Sequence, residues 1–314
     1  MTKNNPTFVL TVANQKGGAG KTTSAVSIAS ALALRGFKTT LIDCDEQMHS
    51  GLALGVDGDN LPKGQFSILD AFLAKKPADK IEMHFPDRFG GNLWLVPGNK
   101  GMSGLHIRLD AELNAKMAAG DLSDLEVDER KDQNRRLLKA SVDALRGKRD
   151  VVVIDTPPAL GFPLTSSLIA ADHYLIPVNG SAFDLDGLKR LLRTAKQIRG
   201  KFQPDLKLLG VLMSRVKTGT NIDEEVEAYL AKFFEKGDFF KTQIKDSVKH
   251  REATFRHLTI HEHAPKDHSA KQYMALTEEV LAKLGMPASP LPATEDPAND
   301  GAPNVLAAEA AKEG

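Results

Sequence analysis

Short apolar runs recur along the chain, and most are too brief for a helix. Thr7–Ala13 (TFVLTVA), Lys38–Asp43 (KTTLID), Leu93–Val96, the VVVID of residues 151–155, Tyr174–Val178 and Leu206–Met213 are of this kind, many of them rich in β-branched residues. Continuous runs of this length predict strands buried on both faces, as in a parallel sheet. A further short strand is expected within Phe239–Ile244. Elsewhere the period lengthens. From about Lys21 to Arg35, Ala25, Ile28, Ala29 and Leu32 fall on one helical face, and Gly36 closes the helix. Helices are also expected near residues 184–199, 221–234 and 267–284. Strands alternating with helices predict an α/β fold, a doubly wound and mostly parallel sheet with helices on both faces.

Two segments depart from this pattern. Residues 101–137 are charged and weakly patterned, and read as an exposed excursion. From Pro287 to Gly314 the chain has five prolines, eight alanines, five acids and one lysine, a composition that cannot bury enough surface to order itself. The expected organisation is therefore one domain over 1–286 and a disordered acidic tail over 287–314. The hydrophobic content of 41% and charged content of 26% are ordinary for a globular protein. With a formal net charge of zero, attraction to nucleic acid or membrane has to come from a local patch. A single cysteine, Cys44, excludes a disulfide framework and a multi-cysteine metal site within one chain. The first apolar run is too short for a signal peptide and no stretch approaches a membrane span, so a cytoplasmic protein is expected.

Candidate chemistry begins at ANQKGGAGKTTSA, residues 13–25. The phosphate-binding pattern G-x-x-x-x-G-K-[ST] places its first glycine where this chain has Gln15, and a second lysine, Lys16, follows. The rest of the pattern is intact. Gly17, Gly18, Ala19 and Gly20 let backbone N–H groups curl around phosphate oxygens, and the helix beginning near Lys21 adds its positive end. Lys21 is expected on the β- and γ-phosphates, Thr22 on Mg²⁺, and Thr23 beside it in the nucleotide site. VVVID ends in Asp155, suited to hold Mg²⁺ through its water shell. In LIDCDEQ (41–47), strand alternation would turn Asp43 and Asp45 to one side and Cys44 to the other. Both carboxylates then lie at the carboxyl end of a strand, where open α/β sheets bind ligands. The expected cofactors are ATP and Mg²⁺.

A loop of the form KGGxGKTT, a strand ending in D-x-D-x-Q and another ending in IDxPP together resemble the ParA family of deviant Walker A ATPases, across most of residues 7–285. These P-loop NTPases position plasmids, chromosomes and other large cargo. The resemblance implies that Lys16 crosses a homodimer interface to the partner's ATP, that Asp45 helps position the attacking water, and that Asp43 supports the metal shell. It also implies weak basal hydrolysis, stimulated by a ParB-like or cargo-linked partner. The family usually has proline after the second aspartate and Gly-Asn after the glutamine, where this chain has Glu46, Met48 and His49. An extra carboxylate at Glu46 is expected to alter hydrolysis.

The resemblance further implies binding of the ATP dimer to nonspecific, nucleoid DNA. Lys245, Lys249, Arg251 and Arg256, with Arg215 and Lys217, are the candidate contacts; phosphate contacts of this kind are salt-sensitive. A solvated mixed-charge face is the alternative. Five histidines at 250, 257, 261, 263 and 268 lack a metal-site pattern. Two other functions remain open: an ATP-switched dimeric adaptor with little hydrolysis and no DNA binding, and a MinD-like membrane-cycling regulator. The tail lacks the amphipathic basic helix that the latter needs, so no membrane partner is expected.

Overall fold

A computed structural model of the chain describes residues 6–180, 183–216 and 222–287. Lys217 and the tail beyond Pro287 lie outside these. Eight strands form one sheet: β1 (Phe8–Val12), β2 (Thr39–Asp43), β3 (Met83–His84), β4 (Leu93–Val96), β5 (Val151–Asp155), β6 (His173–Val178), β7 (Lys207–Val216) and β8 (Ile244–Lys245). Their order is β3-β4-β2-β5-β1-β6-β7-β8. The short β3 runs antiparallel at one edge, and the other pairs are parallel. Register brings Val12 and Asp43 each level with Asp155, so three central strands end together.

Helices α1 (Lys21–Leu34), α2 (His49–Ala53), α3 (Ile68–Leu73), α4 (Leu105–Ala118), α5 (Asp124–Arg135), α6 (Leu137–Asp143), α7 (Phe162–Ala170), α8 (Leu185–Lys201), α9 (Ile222–Leu230), α10 (Lys249–Phe255), α11 (Ile260–His263) and α12 (His268–Leu284) cover the sheet. Alternate strand residues enter opposite cores. Val9, Ile42, Val152 and Ile154 pack with side chains of α3, α6, α7 and α8. Leu10, Leu41, Val151 and Val153 pack with α1 and α12. Both faces are therefore apolar, which is why the strands read as continuous runs.

Two expectations change. Helix α1 is buried almost all round, not on one face, because α12 lies across it. Two of its serines find partners there: Ser24 Oγ lies 3.1 Å from the Tyr273 hydroxyl, and Ser30 donates to Val26 O at 2.7 Å. Residues 101–137 are not a loose excursion but largely two helices. Leu105, Leu109 and Leu113 make a buried i, i+4, i+8 stripe on α4, and Val127 anchors α5, which opens on a Ser123–Glu126 capping box. Dense surface charge masks that narrow stripe in the sequence.

Candidate active site

The loop between β1 and α1 lies above the three level strand ends. Gly18 (φ 75°) and Gly20 (φ 83°) occupy the left-handed region that glycine adopts without steric cost. Several loop carbonyls are tied from behind. Ser214 Oγ donates to Ala19 O at 2.8 Å, Asn179 Nδ2 to Gly18 O at 3.3 Å, and Lys21 Nζ to Lys16 O at 3.0 Å. Asn14 braces the entry, donating to Pro177 O at 2.6 Å and accepting from Lys16 N at 3.0 Å. Ser214 and Asn179 sit at the ends of neighbouring strands, so the sheet itself fixes the loop.

Gln15 has a structural use. Its Oε1 accepts from Arg190 Nε on α8 at 2.9 Å, which makes the position a strut instead of a tight turn. Lys21 is buried, and Lys16 is exposed. Burial lowers the Lys21 ammonium's pKa, while Asp155 and Asp45 oppose that shift.

Asp155 is fully buried. Its Oδ2 accepts from Ser50 Oγ at 2.8 Å, the Thr22 hydroxyl stands nearby, and Oδ1 has no hydrogen-bond partner. Burial raises its pKa to about 6, and the two hydroxyls work against that rise. A buried carboxylate oxygen without a partner beside a threonine hydroxyl fits a hydrated Mg²⁺.

Asp43 differs. Burial, and then the Asp155 charge, hold its carboxyl well above the usual range. Its Oδ1 accepts from Asp45 N and its Oδ2 from Gly51 N, both at 3.0 Å, so its oxygens brace the following turn and α2. The expected strand alternation does not extend to Asp45, because β2 stops at Asp43. Asp45 instead receives the Gln47 N–H at 3.0 Å. Cys44 is buried, and burial pushes its thiol pKa up, so it stays protonated.

A cavity of about 790 Å³ opens over the loop, lined by Gly17, Gly18, Gly20, Lys21, Thr22, Thr23 and, across from them, Asp45, Gln47 and His49. Glu46 is not among the residues of its wall. Met48, where the family has glycine, takes φ 54°, the left-handed region that glycine fills more readily.

The candidate DNA residues divide. Arg215, Lys245 and Arg251 line this same cavity, and Arg215 pairs with Asp246 at 3.1 Å. Lys249 pairs with Glu252 at 2.8 Å, and Arg256 is exposed. The five histidines are dispersed: His261 donates to Ser27 O, His257 to Leu52 O, and His263 contacts Glu252. Among the described residues no group of three potential ligands could hold a metal. None of the helices among them is long and apolar enough to cross a membrane. Ser50, Arg190 and Ser214 lie outside the motif and reach it only through the fold, and Asn14, just before it, carries no motif signal of its own.

A phosphate loop, a magnesium-ready aspartate and a parallel sheet together define a P-loop ATPase. A family profile described as an AAA domain matches residues 7–208. The chain is 33% identical to the chromosome-partitioning ATPase Soj of Thermus thermophilus, over 88% of this chain and 96% of that one. It is 29% identical to the chromosome partitioning protein ParA of Myxococcus xanthus, with 90% of each chain covered. Among solved structures, cobyrinic acid a,c-diamide synthase from Mycobacterium smegmatis, with a bound ATP analogue and magnesium, superposes with a TM-score of 0.69 at 27% identity, covering 90% of this chain and 99% of that one. The chain belongs to the ParA/Soj family of P-loop positioning ATPases.

Proposed function

We propose that this ATPase works as a switch: Mg-ATP joins two chains face to face, the dimer binds nonspecific DNA, and a ParB-like or cargo-linked partner triggers hydrolysis and release. It would act in the cytoplasm on the nucleoid and so segregate or space a cargo. The observation that carries this reading is the contrast between the loop lysines. Lys21 is buried against the loop, whereas Lys16, on the same loop, is exposed. A cation presented outward beside the γ-phosphate rewards a second chain bearing ATP, because close charge pairs gain strength once water is excluded.

Residues 1–286 form the ATPase domain in this proposal, followed by the acidic tail over 287–314. Gly17, Gly18, Ala19, Gly20, Thr22 and Thr23 receive the phosphates. Thr22 and Asp155 would hold Mg²⁺, which neutralises charge on the β- and γ-phosphates when bound. Asp43 supports that shell indirectly by fixing α2, and Asp45 orients the attacking water. Lys21 holds the transferring phosphoryl group in place.

The adaptor reading gains from one finding. Arg215, Lys245 and Arg251 line the nucleotide cavity, so their charges can serve phosphate instead of DNA. One experiment separates the two: DNA binding with ADP, with ATP and by Asp45→Ala, each at two salt concentrations, with Lys16→Ala followed by sedimentation. Binding that needs ATP, persists in Asp45→Ala and weakens with salt is expected. Lys16→Ala is expected to bind ATP yet remain monomeric. ATP-driven dimerisation without DNA binding would leave the adaptor.

A further inference from the structure

Ser50 lies in the first turn of α2 and is fully buried. Its hydroxyl donates to Asp155 Oδ2 at 2.8 Å, and the adjacent Gly51 N–H donates to Asp43 Oδ2 at 3.0 Å. Helix α2 therefore hangs from both strand-end carboxylates through neighbouring residues. Its far end is tied as well: Leu52 O accepts from His257 Nδ1 at 2.8 Å, and Leu54 O from Arg88 Nη1 at 2.7 Å.

A serine hydroxyl has one hydrogen to give. Here it goes to the carboxylate beside the phosphate loop. The terminal torsion of an aspartate is broad, so sterics alone do not fix the plane of the carboxylate. A donor on one oxygen, Oδ2, fixes that plane and leaves the other, Oδ1, without a partner. Oδ2 is held from α2, while the unpartnered Oδ1 remains to meet a hydrated ion.

We infer that Ser50 is a positioning residue for magnesium, setting the rotation of Asp155 so that Oδ1 meets the ion's shell. The inference rests on the proposed reading of Asp155 as the magnesium carboxylate. Partners of this outer kind typically change metal affinity by about 10–100-fold when removed. Through Ser50 the metal site is also continuous with α2, and through His257 with the segment that follows α10.

The test is a magnesium titration of the full chain bound to a fluorescent ADP analogue, read as the concentration giving half of the metal-dependent change. Ser50→Ala should raise that concentration by roughly tenfold or more. Its ADP affinity in EDTA and its melting temperature should stay near those of the parent. Ser50→Thr keeps the donor and should keep the parental midpoint. An unchanged midpoint in Ser50→Ala, an equal shift in both variants, or a parallel loss of EDTA affinity and melting temperature would overturn the inference. Asp155→Asn separates the two levels. If it retains the full magnesium response, the metal reading fails; if it loses the response while Ser50→Ala behaves as the parent, only the role of Ser50 fails.

Discussion

The floor of the nucleotide site and its rim are built differently. On the floor, Lys21, Asp43 and Asp155 are buried, and each is held by contacts within one chain. On the rim, Lys245 and Arg251 line the cavity and are exposed, as is Lys16 on the loop. Arg190 reaches the loop through a single bond to Gln15. Buried groups are positioned at the cost of desolvation, which is visible in the raised Asp155 and lowered Lys21 pKa values. Exposed groups avoid that cost and stay free to take a partner. The floor is thus prepared for chemistry in the single chain, and the rim is prepared for association.

The comparison can be broken from the floor outward. Lys21→Ala should have the largest effect. It removes charge-assisted contacts worth about 3 kcal/mol, so ATP affinity should fall by roughly a hundredfold in a calorimetric titration. A loss of only a few-fold would mean that the floor is not where binding is decided.

Next comes Gly98→Ala. A Cβ there would stand 3.0 Å from Asp43 Cγ and 3.1 Å from Met48 Cγ, against a carboxylate already fixed by two backbone donors. Overpacking of this kind costs about 1–3 kcal/mol, measurable by urea unfolding. A neutral result would show that Asp43 can yield, against the rigid floor described above.

Arg190→Ala should have the smallest effect, about 1 kcal/mol or roughly fivefold in ATP affinity, with an unchanged melting temperature. It removes the strut on Gln15 while leaving the bonds made by Asn14, Ser214 and Asn179. If it matched Lys21→Ala, the loop would depend on α8, and the division between floor and rim would dissolve.

Much of the fold was legible because both faces of the sheet are covered. Strands such as VVVID then carry no polar residues before the catalytic end, and β4 falls on the expected Leu93–Val96. The helices that went unread fail for identifiable reasons. In α4 only every fourth residue from Leu105 to Leu113 is buried, so charged neighbours dominate the pattern. The short helices α2, α3, α10 and α11 each hold too few turns to show a period. On α1, the partner of buried Ser24 is the Tyr273 hydroxyl of α12, a contact that local spacing does not show.

By itself the sequence determined the phosphate loop, the strand-end aspartates and most of the strands. Those depend on contiguous residues, whose spacing survives without any fold. The tertiary structure decided what each group does beside its neighbours. It turned Gln15 into a strut, engaged Asp43 with backbone donors, left Glu46 out of the cavity wall and set three candidate DNA residues around that cavity. Each of these depends on contacts between segments far apart in the chain, and local spacing carries no record of them.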